Sequence, residues 1–241
     1  MFVSDTEGKT DEATFTGGQI AGHWELIPQA KDMTDVELEA ASDALGAFAF
    51  VRIEDGAFSP TSADDMFFVT TGGNAEAGND LGRAYHLKLD AQDPLGTARL
   101  AVIYNADTIV ANGGDIALSP DNVDASGNAL MIQEDGTSSS RLVFAAKGRE
   151  GSIWRFRLDV GALRTTVRAR SRRIVAELSP PGRDGVPVPV PGTWETSGII
   201  DTTSVFGPGT WLFDVQARAP TTAPSPGTVE DGQLLLLRRE A

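Results

Sequence analysis

The sequence predicts an all-β protein: a β-propeller of four-stranded antiparallel blades, interrupted by one short helix. Three observations carry that expectation. The segment GRAYHLKLD at 82–90 returns as GSIWRFRLD at 151–159 and as GQLLLLRRE at 232–240, with a weaker copy, GGQIAGHWELI, at 17–27. The first two copies alternate apolar and polar residues, the period-two mark of a half-buried strand. A second short apolar strand ending in polar residues precedes each copy: MFFVTTGGN at 66–74, ALMIQEDG at 129–136 and WLFDVQAR at 211–218, with MFVSDTEG at 1–8 in the same slot. Finally, 26 Gly and 13 Pro in 241 residues make the chain rich in turns, which favours many short strands over long helices.

The remaining elements follow in order. Glu54-Asp55-Gly56, Asp121-Asn122 and Glu195-Thr196 open a first strand in three successive units, and ARLAVIYN at 98–105 and TVRARSRRIVAEL at 166–178 supply a fourth strand in two of them. Residues 1–30 then read as a partial blade, 31–48 as a helical insertion, 49–110 and 111–180 as complete blades, and 192–241 as a second partial blade. Radial repetition of four-stranded sheets generally needs at least about four blades to close. The expectation is three to four blades in a single domain: either the terminal strands join to complete one blade, or, the favoured reading, the propeller is incomplete at its N-terminal side. In the insertion, Thr34 and Glu37 form a capping box, Leu38, Ala41, Ala44 and Leu45 make an apolar stripe, and Gly46 stops the helix. The Pro-rich stretches 180–191 and 219–226 read as loops.

Composition bounds the function. With 20 basic and 34 acidic residues the net charge is -14, which argues against nucleic acid or an anionic membrane as partner. No cysteine is present, so disulfides, thiolate metal sites and cysteine nucleophiles are excluded. No apolar run approaches the roughly 20 residues of a membrane helix, and no export signal opens the chain. No protein partner is indicated.

In an antiparallel hairpin the end of the second strand returns beside the start of the first. Asp121-Asn122 and Glu134-Asp135 therefore gather at one rim; Glu54-Asp55 faces Thr70-Thr71 and Asn74; Glu195 faces Asp214 and Gln216. If the first strands line a common axis, these groups converge, and carboxylates so placed repel one another unless cations neutralise them. Oxygen donors without thiolate select hard ions such as calcium, magnesium, manganese or ferric iron. Residues 122–128 also resemble a calcium loop locally, but Gln133 stands where the bidentate Glu is required. The segment reads as a turn. His23 and His86 read as strand residues, and the four Trp as packing residues.

At these clusters the sequence resembles the PhoX-type alkaline phosphatase family. The resemblance lies in Arg52-Ile53-Glu54-Asp55, Phe68-Val69-Thr70-Thr71-Gly72, Gly82-Arg83-Ala84-Tyr85, Pro120-Asp121-Asn122, Glu134-Asp135-Gly136, Glu195-Thr196-Ser197-Gly198 and Leu212-Phe213-Asp214-Val215-Gln216. It spans about residues 45–240 and the C-terminal half of a typical member. It implies a six-bladed propeller carrying calcium, with iron as a second ion, that hydrolyses small-molecule phosphate esters in the periplasm or outside the cell. By resemblance Glu54 is a metal ligand, and Asp121, Asn122, Glu134 and Glu195 stand near the ions; no catalytic residue is assigned. Ile53 replaces the family's proline, and the family's iron-binding cysteine has no counterpart. Two other readings of the same residues are a calcium-dependent propeller lactonase or esterase, and a non-catalytic calcium-binding propeller module.

Overall fold

The structure is a computed structural model that describes residues 1–149, 151–159, 162–168, 194–217 and 231–239. The described residues are mostly β, in three antiparallel sheets. The first has six strands in the order β1-β2-β6-β5-β4-β3: β1 (Phe2–Ser4), β2 (Gly18–Trp24), β3 (Ile53–Ser59), β4 (Ser62–Thr70), β5 (Arg83–Leu89) and β6 (Thr97–Asn105). The second runs β10-β9-β8-β7, from β7 (Pro120–Ser126), β8 (Ala129–Glu134), β9 (Ser152–Arg157) and β10 (Ala162–Arg168). The third runs β11-β12-β13, from β11 (Trp194–Asp201), β12 (Thr210–Ala217) and β13 (Asp231–Arg238).

Strand alternation sends every second residue to the opposite face, and the sheets use both faces. On β4, Phe67 and Val69 face the second sheet and pack with Leu130, Ile132, Trp154 and Phe156, while Phe68 faces the other way, into a core with Phe2, Phe15 and Phe48. On the second sheet, Met131 and Ile153 face the third and meet Trp211, Phe213 and Val215. The three sheets are thus stacked face to face in chain order. Among the described residues no core cluster joins the third sheet to the first, and the described strands do not form a closed ring.

Side chains on the first strands tie each sheet to the next. The Asp55 carboxylate accepts from Val123 N–H at 3.0 Å. The Asn122 carbonyl accepts from Ser197 Oγ at 3.0 Å and from Gly198 N–H. Asp124 accepts from Asp201 N–H. On the middle strand of the second sheet, Gln133 donates to Ser197 O at 3.1 Å and accepts from Ile199 N–H at 3.0 Å. All but the Ser197 Oγ bond take up a backbone group of the neighbouring sheet's first strand.

The register repeats as well. Val69 pairs with Ala84, Gln133 with Ile153 and Asp214 with Leu234, and each partner is the third residue of its copy of the repeated segment. One step on, Thr70 pairs with Ile53, Glu134 with Pro120 and Val215 with Thr196, and in each first strand the register then shifts at a bulge.

The N-terminal segment differs from the blade expected of residues 1–30: β1 and β2 extend the outer edge of the first sheet, with β2 paired to β6. A buried carboxylate fixes this segment. Glu12 accepts from Val51 N–H, Thr70 Oγ1, Asn79 Nδ2 and Tyr85 Oη, while Arg83 donates to the Glu12 carbonyl. Residues 35–44 form α1 (Asp35–Ala44) with the Thr34/Glu37 capping box in place, and no residue of the helix is buried. Among the described residues three further α-helices, α2 (Ala106–Ala111), α3 (Ser138–Lys147) and α4 (Thr203–Phe206), occupy segments where no helix was expected. The Pro-rich stretches 180–191 and 219–226, and the end of the fourth strand beyond Arg168, lie outside the described residues. No helix among the described residues is long and apolar enough to cross a membrane.

Candidate functional site

The first strands of the first and second sheets bring Glu54 and Asp121 to a shared rim. Arg52 and Ser119 each immediately precede a first strand, and both adopt left-handed backbone conformations, φ 58° and 44°. Such backbone costs a non-glycine residue on the order of 1–3 kcal/mol. At Arg52 it starts β3 so that the guanidinium reaches Glu54 at 3.2 Å and Asp135 at 3.9 Å. Thr71, just past β4, donates to Pro120 O at 2.9 Å and to Asp121 Oδ1 at 3.2 Å. Asn122 donates to Asp121 Oδ2 at 2.6 Å. Both Asp121 oxygens are therefore oriented by neutral donors.

Glu54, Asp121 and Asp135 act on one another. Burial pushes the Asp121 carboxyl up to about 6, and the negative charges of Asp135 and Glu54 push in the same direction; Thr71 and Arg52 oppose them. Three carboxylates meet one guanidinium, an excess of negative charge in a half-buried place. The donors are all hard oxygens, the type that suits calcium or another hard cation. Yet no three described His, Asp or Glu side chains are placed to hold a single ion. The pairing of Arg52 with both Glu54 and Asp135 gives the present arrangement its counter-charge.

The expected ligands divide three ways. Glu54, Asp121 and Asn122 are at the rim, although Asn122 also holds the third sheet through its carbonyl. Glu134 is not at the rim. It is 0% exposed and turned inward, accepting from Leu118 N–H and Ser152 N–H, both at 2.8 Å, and from the Arg149 guanidinium at 2.6 and 2.9 Å. Burial raises its carboxyl above the usual carboxylate range against the pull of Arg149 and these amides. Its neighbour Asp135 points the opposite way and reaches Arg52. Glu195 lies on β11 opposite Gln216, and its side chain lies outside the described residues. In the repeated register Thr196 takes the place of Ile53 and Pro120, so Ser197 follows where Glu54 and Asp121 do, and Glu195 corresponds to Arg52 and Ser119.

The sequence brought Glu134-Asp135 to the rim as a pair but took Glu134 as the ligand, and Arg149 was not singled out. Both faces of β8 are buried, Leu130 and Ile132 against the first sheet and Met131 against the third, so Glu134 at the strand's last position enters the core and needs a partner, while Asp135 lies just past the strand end. Arg149 carries no local signal, since it follows α3 and reaches Glu134 only through the fold. His86 stacks on Phe67 with ring centroids 4.8 Å apart and lies 2.6 Å from Asp65, while His23 contacts Asp5 and Glu25. Both histidines are on the first sheet, away from the rim.

No family model matches the chain, and no curated protein and no solved structure is significantly similar to it.

Proposed function

We propose that the rim built from Glu54, Asp121 and Asp135 binds hard cations, calcium foremost, and that the chain is the metal-binding part of a phosphomonoesterase of PhoX type, its three sheets being consecutive propeller blades. The observation that carries the reading is the excess of carboxylate at the meeting of two first strands, with Asp121 pushed to about 6 by burial and by its acidic neighbours. Asp135 takes the role expected of Glu134, and Asn122 and Thr71 hold Asp121 in place. A bound cation would supply the positive charge that a phosphate ester needs at a protein of net charge -14. Arg52, half exposed beside the carboxylates, is the rim's own group for an anionic oxygen.

The test is hydrolysis of a generic aryl phosphate by the full chain supplied with calcium and iron. Turnover that disappears on chelation and in Glu54→Ala supports the reading; no turnover with both metals present refutes the phosphatase assignment. One observation favours a second reading, a cation-binding module without catalysis: Arg52 already bridges Glu54 and Asp135. Calcium binding without turnover on phosphate esters or lactones would establish that alternative.

A further inference from the structure

Among the described residues the stack of sheets has two open ends, and they complement each other. The face of the third sheet turned away from the second carries Ile200, Leu212 and Leu236 in one cross-strand row and Ser197, Asp214 and Leu234 in the next. Ile200 is 58% exposed, Leu234 73% and Leu236 46%. Apolar side chains grouped on one sheet face mark a surface that another surface covers.

The polar group in this patch identifies what covers it. Asp214 occupies the register position of Gln133, which binds the backbone of the next sheet's first strand through both ends of its amide. Among the described residues Asp214 Oδ1 is buried without a hydrogen-bond partner. The equivalent side chain one sheet earlier is satisfied by a following sheet, so Asp214 is placed to accept from backbone N–H groups of another first strand.

At the other end, the outward face of the first sheet opens into a cavity of about 560 Å³ walled by Phe2, Trp24, Phe48, Phe50, Met66 and Phe68. Ile53, at the start of that sheet's first strand, also lines it and is 54% exposed. This is the face that, on the second and third sheets, receives the preceding sheet: Ile132 and Phe213, the register equivalents of Phe68, are both buried in such contacts.

We propose that two copies of this chain associate head to tail, Leu234 and Leu236 of each entering the aromatic cavity of the other. The contact joins unlike surfaces, so one contact alone would leave an open chain; made twice about a two-fold axis it closes. Two stacks of three sheets then form a ring of six, within the range of about four to eight sheets in which such rings close. The proposal is independent of what the rim binds.

Light scattering on the full chain at tens of micromolar tests it. The expected mass is twice that of one chain. Leu234→Lys with Leu236→Lys, both at exposed positions, should give a monomer with an unchanged far-ultraviolet spectrum, and Met66→Lys in the cavity wall should do the same. Mixing the two variants restores one intact contact of the two and should return part of the dimer. A monomeric wild-type chain overturns the proposal, as do open-ended larger assemblies or a dimer that both variants leave intact.

Discussion

Replacing Glu134 separates a ligand from a structural ion pair. The side chain is fully buried, and its two oxygens accept from two backbone amides and from Arg149, whose own side chain is only 4% exposed. Glu134→Ala removes all of these bonds from a buried guanidinium that also meets the Asp115 carboxylate at 3.3 Å. Breaking a buried pair from one side costs roughly 3–5 kcal/mol. For a chain of this size each kcal/mol lowers Tm by about 2–4 °C, so the fall should be about 6–20 °C. Asp135→Ala, at the rim, should stay within about 1 kcal/mol of wild type, because removing one of several mutually repelling carboxylates offsets the lost contact. Urea unfolding and differential scanning calorimetry measure both, with calcium titration alongside. If Glu134→Ala kept wild-type stability and lost calcium binding while Asp135→Ala kept it, the division between the two residues would be wrong.

Other consequences follow from the same contacts. Asp121 has a folded-state pKa raised from 3.8 to about 6, so its charge opposes folding above pH 6, and the penalty fades as pH falls through 6 toward 3.8. Asp121→Asn should therefore have a higher urea midpoint than wild type at pH 8 and one equal to it near pH 4; equal midpoints at pH 8 would contradict the placement. Asp55→Ala removes the bond to Val123 N–H between the first and second sheets and should cost about 1–2 kcal/mol in equilibrium unfolding. Thr137→Ala removes the cap of α3, where Thr137 also meets Ser119, and should cost about 1–2 kcal/mol, whereas Thr34→Ala on the exposed α1 should cost at most about 1 kcal/mol.

Much of this fold was legible because its signals are local. The repeated segment at 82–90, 151–159 and 232–240 locates β5, β9 and β13, and their registers agree residue for residue at the third position. The α1 helix was legible from its capping box. The pairing of β2 with β6 was not, because strand alternation in GGQIAGHWELI fixes a face and says nothing of which edge the strand joins. The helix α3 was hidden behind Ser138-Ser139-Ser140, poor helix formers held by the Thr137 cap and by burial of Phe144. At the site, spacing brought Glu54, Asp121 and Asn122 to one end of their sheets, but the choice between adjacent acids rests on contacts made by the fold. At Glu134-Asp135 the strand ends at Glu134, both of its faces are buried, and Arg149 supplies the partner that lets Glu134 enter the core. At Glu54-Asp55 the second residue is taken by Gly56 N–H and Val123 N–H, a contact between sheets that no local pattern announces.

The most direct test of the central claim, that two first strands and the end of β8 gather Glu54, Asp121 and Asp135 into one cation-accepting rim, is a calorimetric calcium titration at pH 8 and pH 5 on the wild-type chain, Glu54→Gln and Asp121→Asn. The account predicts binding at pH 8 that weakens as Asp121 takes up its proton near pH 6, and that is lost in both variants. Absence of binding at pH 8, or equal affinity in all three proteins, would contradict it.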